Sequence, residues 1–317
     1  MKVLANDGIS ASGVDALEAA GHEVILTTVA QDQLEAYLNE HKIDVLLVRS
    51  ATKVRQALID AVPSLKIIGR GGVGMDNIDV QYARDKGLHV INTPAASSNS
   101  VAELVFAHLF GSVRFLHDSN RNMPLDGDTK FKQLKKAYAA GQELRGKTLG
   151  IIGFGRIGQA VARIAIGVGM HVMLTDHNPG DKTITLEFAT GDKLDVKLDN
   201  HSQEDVLSHS DFVTIHIPAQ NGYVIGKKEL NMMKDGAGLI NAARGGVVDE
   251  VALIDALTEG KLAFAALDVF ENEPTPAMAV LMNHSVSLSP HIGAATNEAQ
   301  DRIGVELAEQ IDAIAKG

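Results

Sequence analysis

Short apolar runs recur along the chain, separated by longer stretches with helical spacing. Residues 2–6, 23–27, 45–48, 67–69 and 89–92 read as strands, with helical patterns at 12–20, 31–39 and 56–61. A long helical run, 101–120, follows and connects to a second series. In that series 148–153 (TLGIIG), 171–176 (HVMLTD), 212–217, 237–241, 263–267 and 285–288 read as strands. The helix predicted at 156–168 places Ile157, Val161, Ile164 and Val168 on one face, and 298–315 forms the last helix. Such alternation predicts parallel α/β architecture in both halves. One stretch breaks the rhythm. Ile184, Leu186 and Phe188 alternate with polar residues, as do Leu194, Val196 and Leu198, around a turn at 189–192 that contains Gly191. This period of two predicts a β-hairpin inserted after the second strand of the second series.

The turn after the first strand of that series carries Gly153-Phe154-Gly155-Arg156-Ile157-Gly158, a G-x-G-x-x-G pattern. Alone the pattern is weak. Between a strand and an amphipathic helix it predicts a dinucleotide site. Gly153 allows the tight turn, Gly155 lets the backbone approach a pyrophosphate, and Gly158 lets the helix pack closely on the strand. The helix N-terminus offers unpaired N–H groups and a positive dipole end to the phosphates. Asp176, at the end of the next strand, is the acidic residue expected about 20 positions further on, where it accepts hydrogen bonds from the ribose. A carboxylate there repels a 2′-phosphate. The following His177-Asn178-Pro179 contains no Arg or Lys, so NAD is expected rather than NADP.

Composition narrows the classes. The chain has 317 residues, 45% of them hydrophobic, which suits two domains with sizeable cores. No apolar run is long enough for a membrane helix, and the start of the chain does not have the form of a secretory signal. A formal charge of −11 argues against nucleic acid or anionic lipid as a partner. With no cysteine, thiolate catalysis and Cys-based metal sites are excluded, and a reducing, cytoplasmic compartment is expected. No His/Asp/Glu cluster has metal-ligand spacing, so no metal is expected. The basic cluster Lys130–Lys136 reads either as a solvated helix face or as part of an anion site.

Three charged residues follow predicted strand ends in the second half: Arg244 in NAARGG, Glu273 in DVFENEP and His291 in SPHIG. In open α/β sheets ligands bind beyond the carboxyl ends of the strands, so the three can converge. Moving a hydride from a secondary alcohol needs such a set. A histidine takes the hydroxyl proton, a carboxylate orients its ring, and an arginine holds a substrate carboxylate and polarises the C2 oxygen. A histidine after proline is also common as a structural residue, and the chain has 12 histidines.

Residues 150–158, 241–249, 265–274 and 289–293 together resemble the motifs of the D-2-hydroxyacid dehydrogenase family. VRSATKV (48–54) and GRGGVGMDNID (69–79) resemble more specifically its phosphoglycerate-oxidising branch, and the resemblance runs from about residue 1 to 315. It implies a Rossmann NAD-binding domain, residues 99–289, inserted into a flavodoxin-like substrate domain, residues 1–98 and 290–317. It implies Arg244, Glu273 and His291 as the catalytic set, and Asp268 as ligand of the nicotinamide carboxamide. Pro218 and Ala242 join Gly153, Gly155, Arg156, Ile157, Gly158 and Asp176 as cofactor contacts. The Val73–Gly74 backbone is expected to hold the substrate carboxylate, while Arg49 and Arg70 face a phosphate. The 101–120 helix is expected to help form a homodimer.

The sequence departs from this family in two places. Trp is absent, so the basic loop that carries it in many members is replaced by GDTKFKQLKK (127–136), whose Lys135 is the candidate substrate contact. The C-terminal regulatory domain of longer relatives has no room before Gly317, so no inhibition by serine is expected. The function implied is NAD-dependent oxidation of 3-phosphoglycerate, a small anion, in the first step of serine synthesis. A glyoxylate, hydroxypyruvate or lactate reductase on the same scaffold is the alternative. A non-catalytic NAD-sensing dimer is an alternative of a different class.

Overall fold

A computed structural model describes residues 1–317. The chain divides into two compact units, Met1–Ser100 with Ala294–Gly317, and Val101–Gly293. These limits differ by a few residues from 98/99 and 289/290, and they place His291 in the second unit.

The first unit is built on five parallel strands: β1 (Lys2–Ala5), β2 (Glu23–Ile25), β3 (Val45–Val48), β4 (Ile67–Arg70) and β5 (His89–Asn92). Their order, β2-β1-β3-β4-β5, is the flavodoxin-like arrangement. Every residue of β3 is buried, as a parallel strand covered by helices on both faces must be. The covering helices are α1 (Ala11–Ala19), α2 (Leu34–His41), α3 (Gln56–Ala61) and α4 (Val80–Asp85), with the last helix of the chain, α13 (Asn297–Lys316). α13 starts at Thr296, whose hydroxyl accepts from the Ala299 amide, and buries Ala299, Ile303, Leu307 and Ile311 at helical spacing. It lies close on α1 because both contact residues are glycines. A Cβ on Gly304 would sit 2.9 Å from Gly13 Cα. The helix expected over 31–39 begins at Leu34 instead, after a turn at Ala30–Gln33 closed by a Gln33 N–H to Ala30 carbonyl bond.

The second unit carries β6 (Thr148–Ile152), β7 (His171–Thr175), β10 (Phe212–Ile215), β11 (Ala237–Asn241), β12 (Leu262–Leu267) and β13 (Val286–Leu288). They form one parallel sheet in the order β13-β12-β11-β10-β6-β7. This is the dinucleotide-binding order with one more strand at the β13 edge and without the outermost strand beside β7. In place of that strand, a single parallel bridge joins Leu174 to Asn200. The sequence between them forms the expected hairpin, β8 (Lys182–Glu187) and β9 (Lys193–Leu198), paired from Lys182↔Leu198 to Glu187↔Lys193. On the sheet pack α8 (Arg156–Gly167), α9 (Gln203–His209), α10 (Lys227–Met232), α11 (Glu250–Thr258) and the short α12 (Met278–Leu281).

The single helix expected over 101–120 is two. α5 (Ser98–Val113) ends before Phe115, which adopts a left-handed φ of 55°, and α6 (Leu116–Asp126) starts after it. Helical periodicity continues through that residue, so the break was invisible in the pattern. α7 (Phe131–Ala137) contains most of the basic cluster, and neither α6 nor α7 buries a residue within the chain. No helix is long and apolar enough to cross a membrane.

Candidate functional site

The glycine-rich turn has the geometry its spacing predicts. Gly153 has φ 91°, and a Cβ there would lie 2.5 Å from the His216 carbonyl oxygen. A Cβ on Gly158 would collide with the Gly153 carbonyl. Gly155 differs, because a Cβ there would meet nothing within 4 Å. The protein therefore leaves open space at the position where the motif brings a pyrophosphate against the backbone. α8 begins at Arg156 and Ile157 with no side-chain cap on its first amides, so its N–H groups and dipole end remain available to an anion. Its apolar face, including Ala160, Val161 and Ala165, is buried and fixes the helix on the sheet.

Asp176 follows β7. Its Oδ2 accepts the Phe154 amide at 2.8 Å and its Oδ1 the Asn178 amide at 2.9 Å. Burial would raise its pKa, but those amides, with Lys182 and His177 nearby, bring it below the usual carboxylate range. The fold thus ties an ionised carboxylate to the glycine turn itself. Lys182 is the surprise. It lies just past the 177–179 segment, and its Nζ is 4.0 Å from Asp176 Oδ1. Of the other cofactor candidates, Pro218 is exposed just beyond β10, and Ala242 is buried directly after β11.

The catalytic candidates sit on three loops at the carboxyl ends of β11, β12 and β13, and the last two bring Glu273 and His291 together. Glu273 Oε1 accepts the Phe270 amide at 3.0 Å, and Oε2 meets His291 Nδ1 at 2.8 Å. The pair lines a mostly apolar cavity of about 360 Å³ with Phe270, Pro274, Leu288 and Pro290. His291 has φ 55°, a conformation rare outside glycine. Asp268 secures the turn around it: Oδ1 accepts Ser289 Oγ at 2.6 Å and the Ile292 amide at 2.8 Å, while Oδ2 accepts the Gly293 amide at 2.8 Å. Asp268 is only 1% exposed, so in this state its carboxylate serves the His291 turn.

The Arg244 loop is anchored by Asn241, whose carboxamide donates to the Arg244 carbonyl and accepts the Ala243 amide. Arg244 Nη1 donates to the Ala243 carbonyl at 2.7 Å. Gly245 is pressed on the next loop so closely that a Cβ would overlap the Phe270 carbonyl. Glu250 and Glu271 each accept the other's backbone amide, at 2.8 and 2.9 Å, which locks the Glu273 loop to the start of α11. Burial raises the Glu250 pKa against the bond from the Glu271 amide.

Sequence reasoning missed His108 in α5. Its Nδ1 lies 2.8 Å from Ser287 Oγ and its Nε2 2.8 Å from Ser289 Oγ. Ser289 gives its one hydrogen to Asp268, so it accepts from His108 Nε2–H; burial keeps the ring neutral and leaves Nδ1 to accept from Ser287. A lone histidine in a helical pattern carries no signal of this.

In the first unit, Arg49 and Arg70 leave adjacent strands, since Val48 of β3 pairs with Arg70 of β4. Both flank the glycine loop that follows β4. A Cβ on Gly71 would lie 3.7 Å from Arg49 Cγ, and one on Gly72 would overlap the Arg70 guanidinium. Val73, 36% exposed, and Gly74 continue that loop, and Asn92 Nδ2 donates to the Val73 carbonyl at 2.7 Å. Lys135 lies on α7 of the second unit, exposed.

Comparison with known proteins places these features. Residues 106–293 match the model of the D-isomer specific 2-hydroxyacid dehydrogenase NAD-binding domain. A D-3-phosphoglycerate dehydrogenase of Methanocaldococcus jannaschii is 39% identical over 319 residues, covering 100% of this chain and 58% of that protein. The chain thus spans little more than half the length of that relative. A hydroxypyruvate reductase of Thermotoga maritima is 40% identical over 91% of this chain and 90% of its own. The crystal structure of the TT0316 protein from Thermus thermophilus superposes with a TM-score of 0.86 at 28% identity, covering 100% of this chain and 97% of that one. The chain belongs to the D-isomer-specific 2-hydroxyacid dehydrogenase family, and its second unit is the NAD-binding domain of that family.

Proposed function

We propose that this protein oxidises 3-phosphoglycerate at C2 to 3-phosphohydroxypyruvate with NAD, the first step of serine synthesis. The observation that carries the substrate is the pair Arg49 and Arg70 on either side of the Gly71–Gly72 loop. Val73 and Gly74 amides hold the substrate carboxylate, and the two guanidinium groups hold the phosphate by paired hydrogen bonds. Lys135 is a further substrate contact. Nicotinamide, when bound, accepts the hydride from C2. The chain's own groups do the remaining work. His291 takes the C2 hydroxyl proton at Nε2, because its Nδ1 is engaged by Glu273. Glu273 fixes the ring and stabilises the imidazolium that forms. Arg244 polarises the C2 oxygen. Gly153, Gly155, Arg156, Ile157 and Gly158 cradle the pyrophosphate, Asp176 the ribose, and Pro218 and Ala242 line the dinucleotide. Asp268 has one lone-pair position left on Oδ2, which suits the carboxamide N–H.

A second reading, hydroxypyruvate reduction, is favoured by the Thermotoga maritima relative, whose similarity extends over nearly all of both chains. The discriminating experiment is spectrophotometric. NADH formation with 3-phosphoglycerate is measured beside NADH consumption with hydroxypyruvate and with its 3-phospho form. A kcat/KM at least tenfold higher for the phosphorylated substrates supports the proposal, and parity or reversal gives the second reading. A non-catalytic NAD sensor would turn over none of them.

A homodimer is part of the same proposal. α6 and α7 bury nothing in their own chain, and Leu116, Leu125 and Phe131 are 63%, 76% and 56% exposed. A second copy would cover them, and light scattering would give twice the chain mass.

A further inference from the structure

The segment directly after Asp176 contains no Lys or Arg, which is why the sequence points to NAD alone. A cation stands just beyond that segment, at Lys182. The hairpin β8–β9 is a separate two-stranded sheet inserted between β7 and Asn200, and its two feet return to the turn that carries Asp176. At one foot, Lys182 Nζ donates to the Asn178 carbonyl at 2.8 Å. At the other, Asn200 Nδ2 donates to the Asp176 and Asn178 carbonyls at 3.2 Å each, and Asn200 Oδ1 accepts the Asp176 amide at 2.9 Å. The hairpin therefore clamps the turn at positions 176–178. The Lys182 side chain is only 20% exposed, so its ammonium is held rather than waving in solvent. One of its three hydrogens is used on Asn178, leaving two.

The charges around this point are mixed. Asp176 is ionised and inward-facing, with one bond from a backbone amide to each oxygen. Lys182 lies 4.0 Å from it, and His177 Nδ1 3.6 Å on the solvent side. Asp181 and Asp199, beside the two feet, are exposed and therefore screened by water. A carboxylate already paired with amides and an ammonium repels a 2′-phosphate less than a lone carboxylate does, and the ammonium can donate to that phosphate.

We propose that Lys182 is a cofactor-specificity residue: from the foot of the inserted hairpin it offsets Asp176 and gives the 2′-phosphate of NADP(H) a partner, making NADP(H) a second, weaker dinucleotide for this protein. The proposal rests on the NAD-binding reading but not on the identity of the hydroxy acid.

The test is binding, not turnover. NADH and NADPH are titrated into the protein by nicotinamide fluorescence, with calorimetry as a check. The wild type should bind NADH more tightly than NADPH, with both measurable. Lys182→Met should raise the ratio of Kd for NADPH to Kd for NADH by roughly tenfold or more, the loss of a charged hydrogen bond. Lys182→Arg should keep the wild-type ratio. Asp176→Asn should lower the ratio, and Asp176→Asn with Lys182→Met should lose most of that gain. An unchanged ratio in Lys182→Met, whether both affinities fall together or neither does, makes Lys182 a clamp only and overturns the proposal. No detectable NADPH binding to Asp176→Asn overturns it too. Failure of NADH to bind the wild type would instead defeat the NAD-binding reading itself. Circular dichroism identifies any variant that does not fold, and Lys182→Gln then replaces Lys182→Met.

Discussion

Glu273 and His291 share a 2.8 Å hydrogen bond in which the carboxylate has no freedom to turn away, because its other oxygen accepts the Phe270 amide. The ring nitrogen left for a substrate is therefore Nε2. A positioned general base contributes about 10²–10⁴-fold to rate. His291→Asn is expected to lower kcat by that order while NADH still binds. Glu273→Gln keeps the shape but loses the charge, worth about 1.5–3 kcal/mol in a charged hydrogen bond, or roughly 10- to 150-fold in kcat. Stopped-flow turnover with parallel NADH titration checks both. A loss confined to NADH affinity would remove His291 and Glu273 from the chemistry.

The glycines of the turn separate folding from binding. A side chain on Gly158 collides with the protein itself, whereas one on Gly155 meets open space at an ordinary φ of −71°. Gly158→Ala should therefore lower the melting temperature of the cofactor-free protein. Gly155→Ala should leave it within about a degree, because its surface site carries little strain, yet weaken NADH binding at least tenfold. Thermal melts with and without NADH read out the two effects. Equal melting losses in both variants would show that Gly155 is constrained by the fold and not by a ligand.

Two enclosed histidines set an acid limit. His216 is held neutral by burial, its pKa brought down to about 3, with Nε2 near Thr214 Oγ1. His108 is lowered too, by burial against a weaker pull upward from Asp268. Both groups bind protons more readily when unfolded, where histidine titrates near about 6.5. Above that pH neither state is protonated and stability is unaffected. Below it the unfolded chain takes up protons that the folded chain refuses, so stability falls from about 6.5 downward toward the folded values. Melting temperature should drop steadily between pH 7 and 5, and His216→Gln should flatten the slope. A slope unchanged in that variant would place the acid sensitivity elsewhere.

Parts of the candidate site were legible because each obeys a local rule. G-x-G-x-x-G between a strand and a helix, an acidic residue closing the next strand, and charged residues after strand ends are signals that need no long-range information. Parallel α/β architecture in both halves follows from the alternation, and the flavodoxin-like and dinucleotide-binding sheets from the family resemblance. What escaped reading has more than one cause. Lys182 reaches Asp176 locally, but it lies just past the 177–179 segment in which a cation is sought. His108 reaches Ser287 and Ser289 across 179 and 181 positions of sequence. Phe115 breaks a helix without Gly or Pro at that residue, so the periodicity of 101–120 gave no warning.

The proposed substrate differs from a merely acidic one by a phosphate that the chain has to hold. In the proposed function Arg244 and the Val73–Gly74 amides are assigned to a C2 oxygen and a carboxylate, which leaves a phosphate at C3 without a partner among them. The proposal gives that role to Arg49 and Arg70. They issue from paired strands, and the absence of a side chain at Gly72 lets the Arg70 guanidinium lie against the loop. The Arg49 backbone is itself tied down, with its amide donating to Asp7 Oδ2 at 2.6 Å and its carbonyl accepting Asn77 Nδ2 at 2.8 Å. The guanidinium therefore extends from a fixed point, which limits the entropy lost on gripping an anion. A charged hydrogen bond contributes about 1.5–3 kcal/mol, or roughly 10- to 150-fold in kcat/KM. Arg49→Ala and Arg70→Ala should each depress kcat/KM for 3-phosphoglycerate by that range and barely alter turnover of glycerate or lactate. Melting temperatures guard against a trivial loss of fold. Equal losses on phosphorylated and unphosphorylated acids would assign these arginines to the fold or the carboxylate, and the substrate would then be a 2-hydroxy acid without phosphate.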